Sequence, residues 1–452
     1  MPDTLFSEFP AVSSKQWKQK IQYELAGADY NDTLVWESPE GIKVKPFYHR
    51  DEDQSLMSAD TRQESFRICQ EIFVFDVAKS ALRAKDVVNR GAESIRFIIE
   101  DAQTDIEALI KELPENLTLF FELKFLSAEF TTKLQKALLS RSFRWFADTD
   151  PIGHFAKSGN WYTTEPTDNL EVLQLVAKNT NAISVNAALY HNAGANIVQQ
   201  LAYSLAHVNE YFNKFESIDQ PILIKMAVGS NYFFEIAKLR AMRTLFITLA
   251  AEYNHKLSCH LLVSPGKRNK TLYDYNVNML RTTSECMSAI LGGADTVANM
   301  PYDSLYHKSN EFAERIARNQ LLILKHESYF DKVANPADGS YYIESLTTQL
   351  AEKALALFKE IEAAGGFIAQ LKSGTIQRKI AESAEKEQQL FDSGKEILLG
   401  TNKQINKNDR MAHDLELFPF VKIKPRKTLI TPIIEKRLAE KMEQDRLESE
   451  KA

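Results

Sequence analysis

An apolar run, SVNAALY, ends at Tyr190 and His191 and is followed at once by Asn192-Ala193-Gly194 and a stretch of helical spacing. A tyrosine and a histidine at a strand end are placed to exchange a proton with a reacting group. Gly194, near a helix start, lets backbone N–H groups approach a phosphate or carboxylate. The same residues also have a plain structural reading, in which Gly194 shapes the turn and His191 satisfies a hydrogen bond there. Two further turns of this kind are Val228-Gly229-Ser230 and Ser264-Pro265-Gly266-Lys267-Arg268. The second carries two cations able to face a phosphate or to sit in solvent. Asp295, Asn299 and Asp303 follow the last apolar run, but no His/Cys/Asp grouping has metal spacing. GxxxxGK[ST] and GxGxxG patterns are absent, which disfavours the nucleotide-loop enzymes.

The elements that must position these residues alternate. Short β-branched or aromatic runs occupy 67–76, 93–100, 117–125, 141–148, 182–190, 221–229, 256–264 and 294–300. Between them lie segments of helical period, such as Ile197, Leu201, Leu205, Val208 and Phe212. Strands alternating with helices pair in parallel, and eight such units match a closed (β/α)₈ TIM barrel better than the alternative, an open doubly wound sheet. The spacing predicts an N-terminal arm over 1–60, a barrel with C-terminal helices over 61–400, and a strap with a charged, solvated helical tail over 401–452. Phe121, Trp145, Lys225 and His260 are large enough to fill a barrel, depending on which way each strand faces.

Composition excludes several classes. The 452 residues are 44% apolar and carry 61 acidic against 55 basic side chains, intermixed along the chain. No basic stripe exists to follow a nucleic-acid backbone, so no nucleic-acid partner is expected. No run approaches the roughly 20 apolar residues that span a bilayer, and no secretory leader is evident, so neither a membrane nor export is expected and the cytoplasm is the expected compartment. Cys69, Cys259 and Cys286 are far apart, which predicts buried free thiols.

YFFEIAKLRAMR (232–243), NMLRTTSECMSAILGGADTV (278–297), RIARNQLLILKHES (315–328), GSYYIESLTTQLAEKALALFKEIEAAGGF (339–367) and DSGKEILLGTNK (392–403) closely resemble the barrel of the methylmalonyl-CoA mutase family. SVNAALYHNAGANIVQQLAY and GIKVKPFY (41–48) fit the same family. The resemblance runs collinearly over roughly residues 40 to 405. It implies a barrel threaded by the pantetheine arm of a coenzyme A ester, working with adenosylcobalamin on a flavodoxin-like domain. It also implies departures. The family's D-x-H-x-x-G cobalt-binding signature does not occur. Catalytic members read roughly S-x-S-G-Y-H-M-Q-E-A-G-A after strand five; matching Asn192-Ala193-Gly194-Ala195 to E-A-G-A puts Leu189 where the catalytic histidine stands and His191 two residues later. The radical-handling tyrosine before strand one has no counterpart, since no tyrosine lies between Tyr48 and Tyr162. These departures resemble the small subunit of the heterodimeric bacterial enzyme. His191 and Tyr190 are then vestigial, this chain binds no cofactor, and a large partner subunit holds adenosylcobalamin. The resemblance leaves two other readings open: a barrel for another acyl-CoA that borrows a separate cobalamin protein, and a stand-alone acyl-CoA-binding module.

Overall fold

Eight parallel strands form one sheet in the computed structural model, which describes residues 8–52, 64–163, 169, 171–174, 183–215, 218, 220–422 and 425–451. They are β1 (Arg67–Val74), β2 (Ser94–Ile99), β3 (Thr118–Leu123), β4 (Arg144–Asp148), β5 (Ser184–Asn186), β6 (Ile222–Val228), β7 (Cys259–Pro265) and β8 (Thr296–Ala298). Each of the eight runs read from the sequence holds one strand, β7 running one residue past its run to Pro265. The sheet order is β4-β3-β2-β1-β8-β7-β6-β5, every pairing is parallel, and β1 meets β8 in mid-sheet. The two edges, β4 and β5, join through a single bridge between Thr149 and Ile183. The sheet is therefore nearly closed into a barrel, with the seam between β4 and β5.

Helices follow the strands and bury one face on the outside of the sheet. The Ile197–Lys214 helix begins with a reciprocal cap in which the Asn196 side chain takes the Gln199 N–H and the Gln199 side chain takes the Asn196 N–H. The Pro151–Ser158 helix starts at Asp150 with proline in its first turn and stops at left-handed Gly159. The outer layer splits into two apolar clusters, one under the helices that follow β1 to β3 and a larger one under those that follow β4 to β8.

Inside the sheet the filling has two levels. The lower one is apolar: Cys69, Phe120, Phe146, Leu223, Leu262 and Ala298 pack together, with Phe120 and Phe146 stacked at 5.3 Å and the His260 ring 4.8 Å from Phe146. Above it lies an ion network. Arg96 pairs with Glu71 and Glu122, Lys225 reaches Asp148 at 2.7 Å, and the Ser184 hydroxyl donates to Asp148 at 2.8 Å. Of the four residues large enough to fill the barrel, Lys225 and His260 face inward. Phe121 and Trp145 belong to the outer cluster, because alternation along β3 and β4 sends Phe120 and Phe146 inward instead.

Residues outside the barrel wrap it. A short antiparallel ribbon (Trp36–Glu37 with Lys43–Val44) buries Ser38 and Ile42 against the larger cluster. The charged helix Glu440–Lys451 is docked, not solvated. Glu443 accepts the Leu272 N–H at 2.7 Å and pairs with Arg437, and Glu450 accepts from Tyr273 and from the Met411 and Ala412 N–H groups. Sparse apolar residues hid this docking from the pattern, since carboxylates make most of it. All three cysteines are buried and outside any disulfide. Among the described residues no helix is long and apolar enough to cross a membrane.

Candidate functional site

The C-terminal ends of the strands are where a parallel barrel places reactive groups. β5 stops at Asn186, so Tyr190 and His191 lie one short helix further on, in Ala188–Asn192. That turn sends their side chains to different places.

Tyr190 is fully buried and its hydroxyl lies 2.9 Å from His207 Nδ1. The other nitrogen of His207 stands 3.0 Å from Asp150 Oδ1. Asp150 also accepts the Gly153 N–H, the Tyr211 hydroxyl and the Asn186 N–H, each at 2.7 Å. Burial pushes the Asp150 carboxyl up, but His207 and these donors outweigh it and pull it down to about 2. Burial and the nearby Asp150 charge hold the Tyr190 phenol well above its ordinary value. This Asp–His–Tyr chain resembles a proton relay in composition, yet it is sealed from solvent. Its geometry ties β5 and two helices to the end of β4, across the seam.

His191 is wedged between the turns that follow β6 and β7. Its ring lies over Gly229 and Gly266: a Cβ at Gly229 would stand 3.0 Å from the His191 Cε1, and one at Gly266 would collide with Nε2. Only glycine leaves room for the ring. The His191 Nδ1 is buried without a hydrogen bond of ordinary geometry. Burial pushes the imidazole well below its usual pKa, and Lys238, Lys270 and Arg268 push it the same way. It is held neutral. Leu189, at the place the family pattern gives to the catalytic histidine, is fully buried in the apolar cluster.

Gly266→Ala is therefore expected to cost about 2 to 3 kcal/mol of stability through overpacking. In a His191→Ala background the same change should cost under about 1 kcal/mol, because the ring it strikes is gone. Urea unfolding of the four proteins measures both values, and equal costs in the two backgrounds would remove His191 from this account.

The remaining candidates have structural partners. Gly194 takes the left-handed φ of 97° its turn requires, and Ala384 packs against it. The nearby Ile197 N–H donates to Glu40 of the N-terminal ribbon at 3.3 Å, so an internal carboxylate already sits at this helix start. Arg268 is buried against Glu387 and the Lys436 and Ala384 carbonyls. Asp295 precedes β8 and lies at the opposite end of the barrel, accepting from Arg243 and the Leu261 N–H at 2.7 Å each. Asn299 anchors the Glu311–His326 helix, and Asp303 bonds His307 and Asn310. Among the described residues no group of three or more His, Cys, Asp or Glu could hold a metal.

Sequence reasoning missed Asp150, His207, Arg96 and Glu122. Asp150 left a signal, the D-P-x-G order that caps a helix; the others join only through the tertiary fold.

The methylmalonyl-CoA mutase family profile matches residues 130–445. The chain is 33% identical over 438 residues to the methylmalonyl-CoA mutase small subunit of Porphyromonas gingivalis, covering 89% of this chain and 71% of that one. It is 37% identical over 251 residues to the small subunit of Streptomyces virginiae, covering 51% of this chain and 39% of that one. With the mutase of Rhizobium meliloti it shares 35% over 273 residues, 57% of this chain and 38% of that one. The chain thus spans well under half the length of the last two. The matched region takes in β4 to β8 and the His191 wedge, and on this footing the chain belongs to the methylmalonyl-CoA mutase family.

Proposed function

We propose that the chain is the small, non-catalytic subunit of a cytoplasmic methylmalonyl-CoA mutase, paired with a large subunit that holds adenosylcobalamin and interconverts methylmalonyl-CoA and succinyl-CoA. The filled barrel axis carries this reading. A thioester arm threaded through the sheet would have to displace Phe120, Phe146 and His260 and break the Arg96 network, groups that are packed and mutually paired. The names of its small-subunit relatives support the pairing.

Among the described residues, the buried imidazoles do not fit a cobalt ligand for adenosylcobalamin. Three imidazoles have a buried nitrogen without a hydrogen bond of ordinary geometry, those of His191, His207 and His260, and that of His207 faces Asp150 at 3.0 Å. His260 lies in the barrel floor, and His191 is clamped by two glycine turns whose neighbour Arg268 is tied to the chain's C-terminal region. No chemical step is assigned to either.

What this chain would supply is interface. An obligate heterodimer generally buries more than about 2,000 Å². Mixed at micromolar concentration with a large mutase subunit, it is expected to elute as a heterodimer; a stable monomer that ignores the large chain would end the proposal. In the assembled enzyme His191→Ala is expected to change kcat less than threefold. A fall above about 100-fold in an intact complex is what loss of a general acid or base produces, and would make His191 catalytic.

A further inference from the structure

The cations at the barrel mouth fall into two groups. Lys238 and Lys270 are neutralised by Glu235 and Glu285, carboxylates of the barrel's own helices. Lys157, Lys267 and Arg268 are matched from outside the barrel. Arg268 pairs with Glu387 of the Thr375–Asp392 helix, and Lys157 with Glu435 of the C-terminal segment at 2.8 Å. Glu435 is half-buried, which pushes its carboxyl up, yet Lys157 and Lys267 hold it below its ordinary value. It also accepts from Asn192 Nδ2 at 3.1 Å, while Asn192 Oδ1 accepts the Lys267 N–H at 2.8 Å.

The backbone around Glu435 is pinned over the same recess. The Ile433 N–H donates to Ala156 O at 2.8 Å, Lys436 N–H to Asn192 O at 3.0 Å and Leu438 N–H to Arg268 O at 2.9 Å. Arg268 returns a bond to Lys436 O at 2.7 Å. Two ammonium groups, a guanidinium fork and the Asn192 amide converge there, the donor set that recognises phosphate oxygens.

We propose that the C-terminal region is an intramolecular pseudo-ligand: Glu387 and Glu435 fill an anion recess built from Lys157, Asn192, Lys267 and Arg268, and when the segment lifts the recess takes a multivalent phosphate-type anion. Lifting takes Glu435 away from Lys157 and Lys267 and the Lys436 carbonyl away from Arg268, which drives either reclosure or capture of an anion. The backbone bonds that hold the segment run to helix ends and a turn, not along a sheet, and although Ile433 and Leu438 pack into apolar clusters, a short stretch of this kind can open as a unit without unfolding of the barrel. The recess lies at the ends of β4, β5 and β7, outside the filled axis, so this inference stands apart from the mutase reading.

Hydrogen exchange of the full chain with inorganic pyrophosphate tests it. Competition predicts that millimolar pyrophosphate speeds exchange of the Ile433, Lys436 and Leu438 amides at least tenfold while leaving β7 amides unchanged. Unchanged or slowed exchange of those three amides would overturn the proposal. In calorimetry, E387Q/E435Q is expected to bind pyrophosphate at least tenfold more tightly than the unaltered chain; a folded variant with no gain also overturns it. Should that variant fail to fold, exchange in the unaltered chain decides alone.

Discussion

Asp150→Ala is expected to cost about 3 to 5 kcal/mol of unfolding free energy, the range for removing one partner from a buried charged cluster. The barrel's seam has a single backbone bridge, between Thr149 and Ile183, where its other strand pairs share a ladder. Asp150 substitutes for the missing ladder. One oxygen takes the Asn186 N–H of β5, and the other gathers the Gly153 N–H, the Tyr211 hydroxyl and His207. Alanine leaves all four donors buried without an acceptor, at roughly 1 to 3 kcal/mol for each one left unsatisfied, partly relieved by relaxation. Tyr211→Phe removes a single donor and should cost only about 1 kcal/mol. Urea denaturation gives both values by linear extrapolation. An Asp150→Ala cost near that of Tyr211→Phe would mean that packing alone, not this carboxylate, closes the seam.

The seam shows what could be read from residue order and what could not. Eight strands were legible because each is a run of β-branched or aromatic residues bounded by polar turns, and period and length depend only on local chain geometry. Facing was not legible. In β3 the run LTLFFEL offers bulky side chains on both faces, so only the finished barrel decides that Phe120 goes in and Phe121 out. The site was legible in the same uneven way. Gly229, Gly266 and His191 were each visible as turn or strand-end residues, but their contact spans three turns far apart in sequence. Tyr190 was visible without His207 and Asp150, which give it its role. The docking of the last helix went unread for a different reason. A helix that is polar all round reads as solvated, and nothing local says that Glu443 and Glu450 will meet backbone N–H groups.

Acid should weaken the fold through His260, well above the pH at which ordinary carboxylates titrate. The imidazole is buried in the barrel floor against Phe120 and Phe146, its Nε2 lies 2.9 Å from the Thr296 hydroxyl, and its Nδ1 has no partner. Burial pushes its pKa down to about 4. Asp295 opposes that shift, and Arg144, Arg243 and Arg67 add to it. A histidine depressed in the folded state stays neutral there while the unfolded chain takes up a proton near pH 6.5. Stability is thus full above about pH 6.5 and falls as the pH drops toward 4. A depression of this size amounts to about 3 kcal/mol at the bottom of the window. Other groups change the total slope. His191 adds to the loss, and Asp150 adds its own only at lower pH, between its ordinary 3.8 and about 2. Glu40, Glu285 and Glu443 are raised by burial and so gain stability on protonation, with the opposite sign. The difference between the unaltered chain and His260→Gln isolates the one residue, since glutamine can still bond Thr296 but does not titrate. Unfolding free energies of the two proteins from pH 7 to pH 4 are expected to converge by about 3 kcal/mol. Parallel curves would mean that His260 gains a hydrated environment on protonation, and the barrel floor would then not be the dry layer its packing describes.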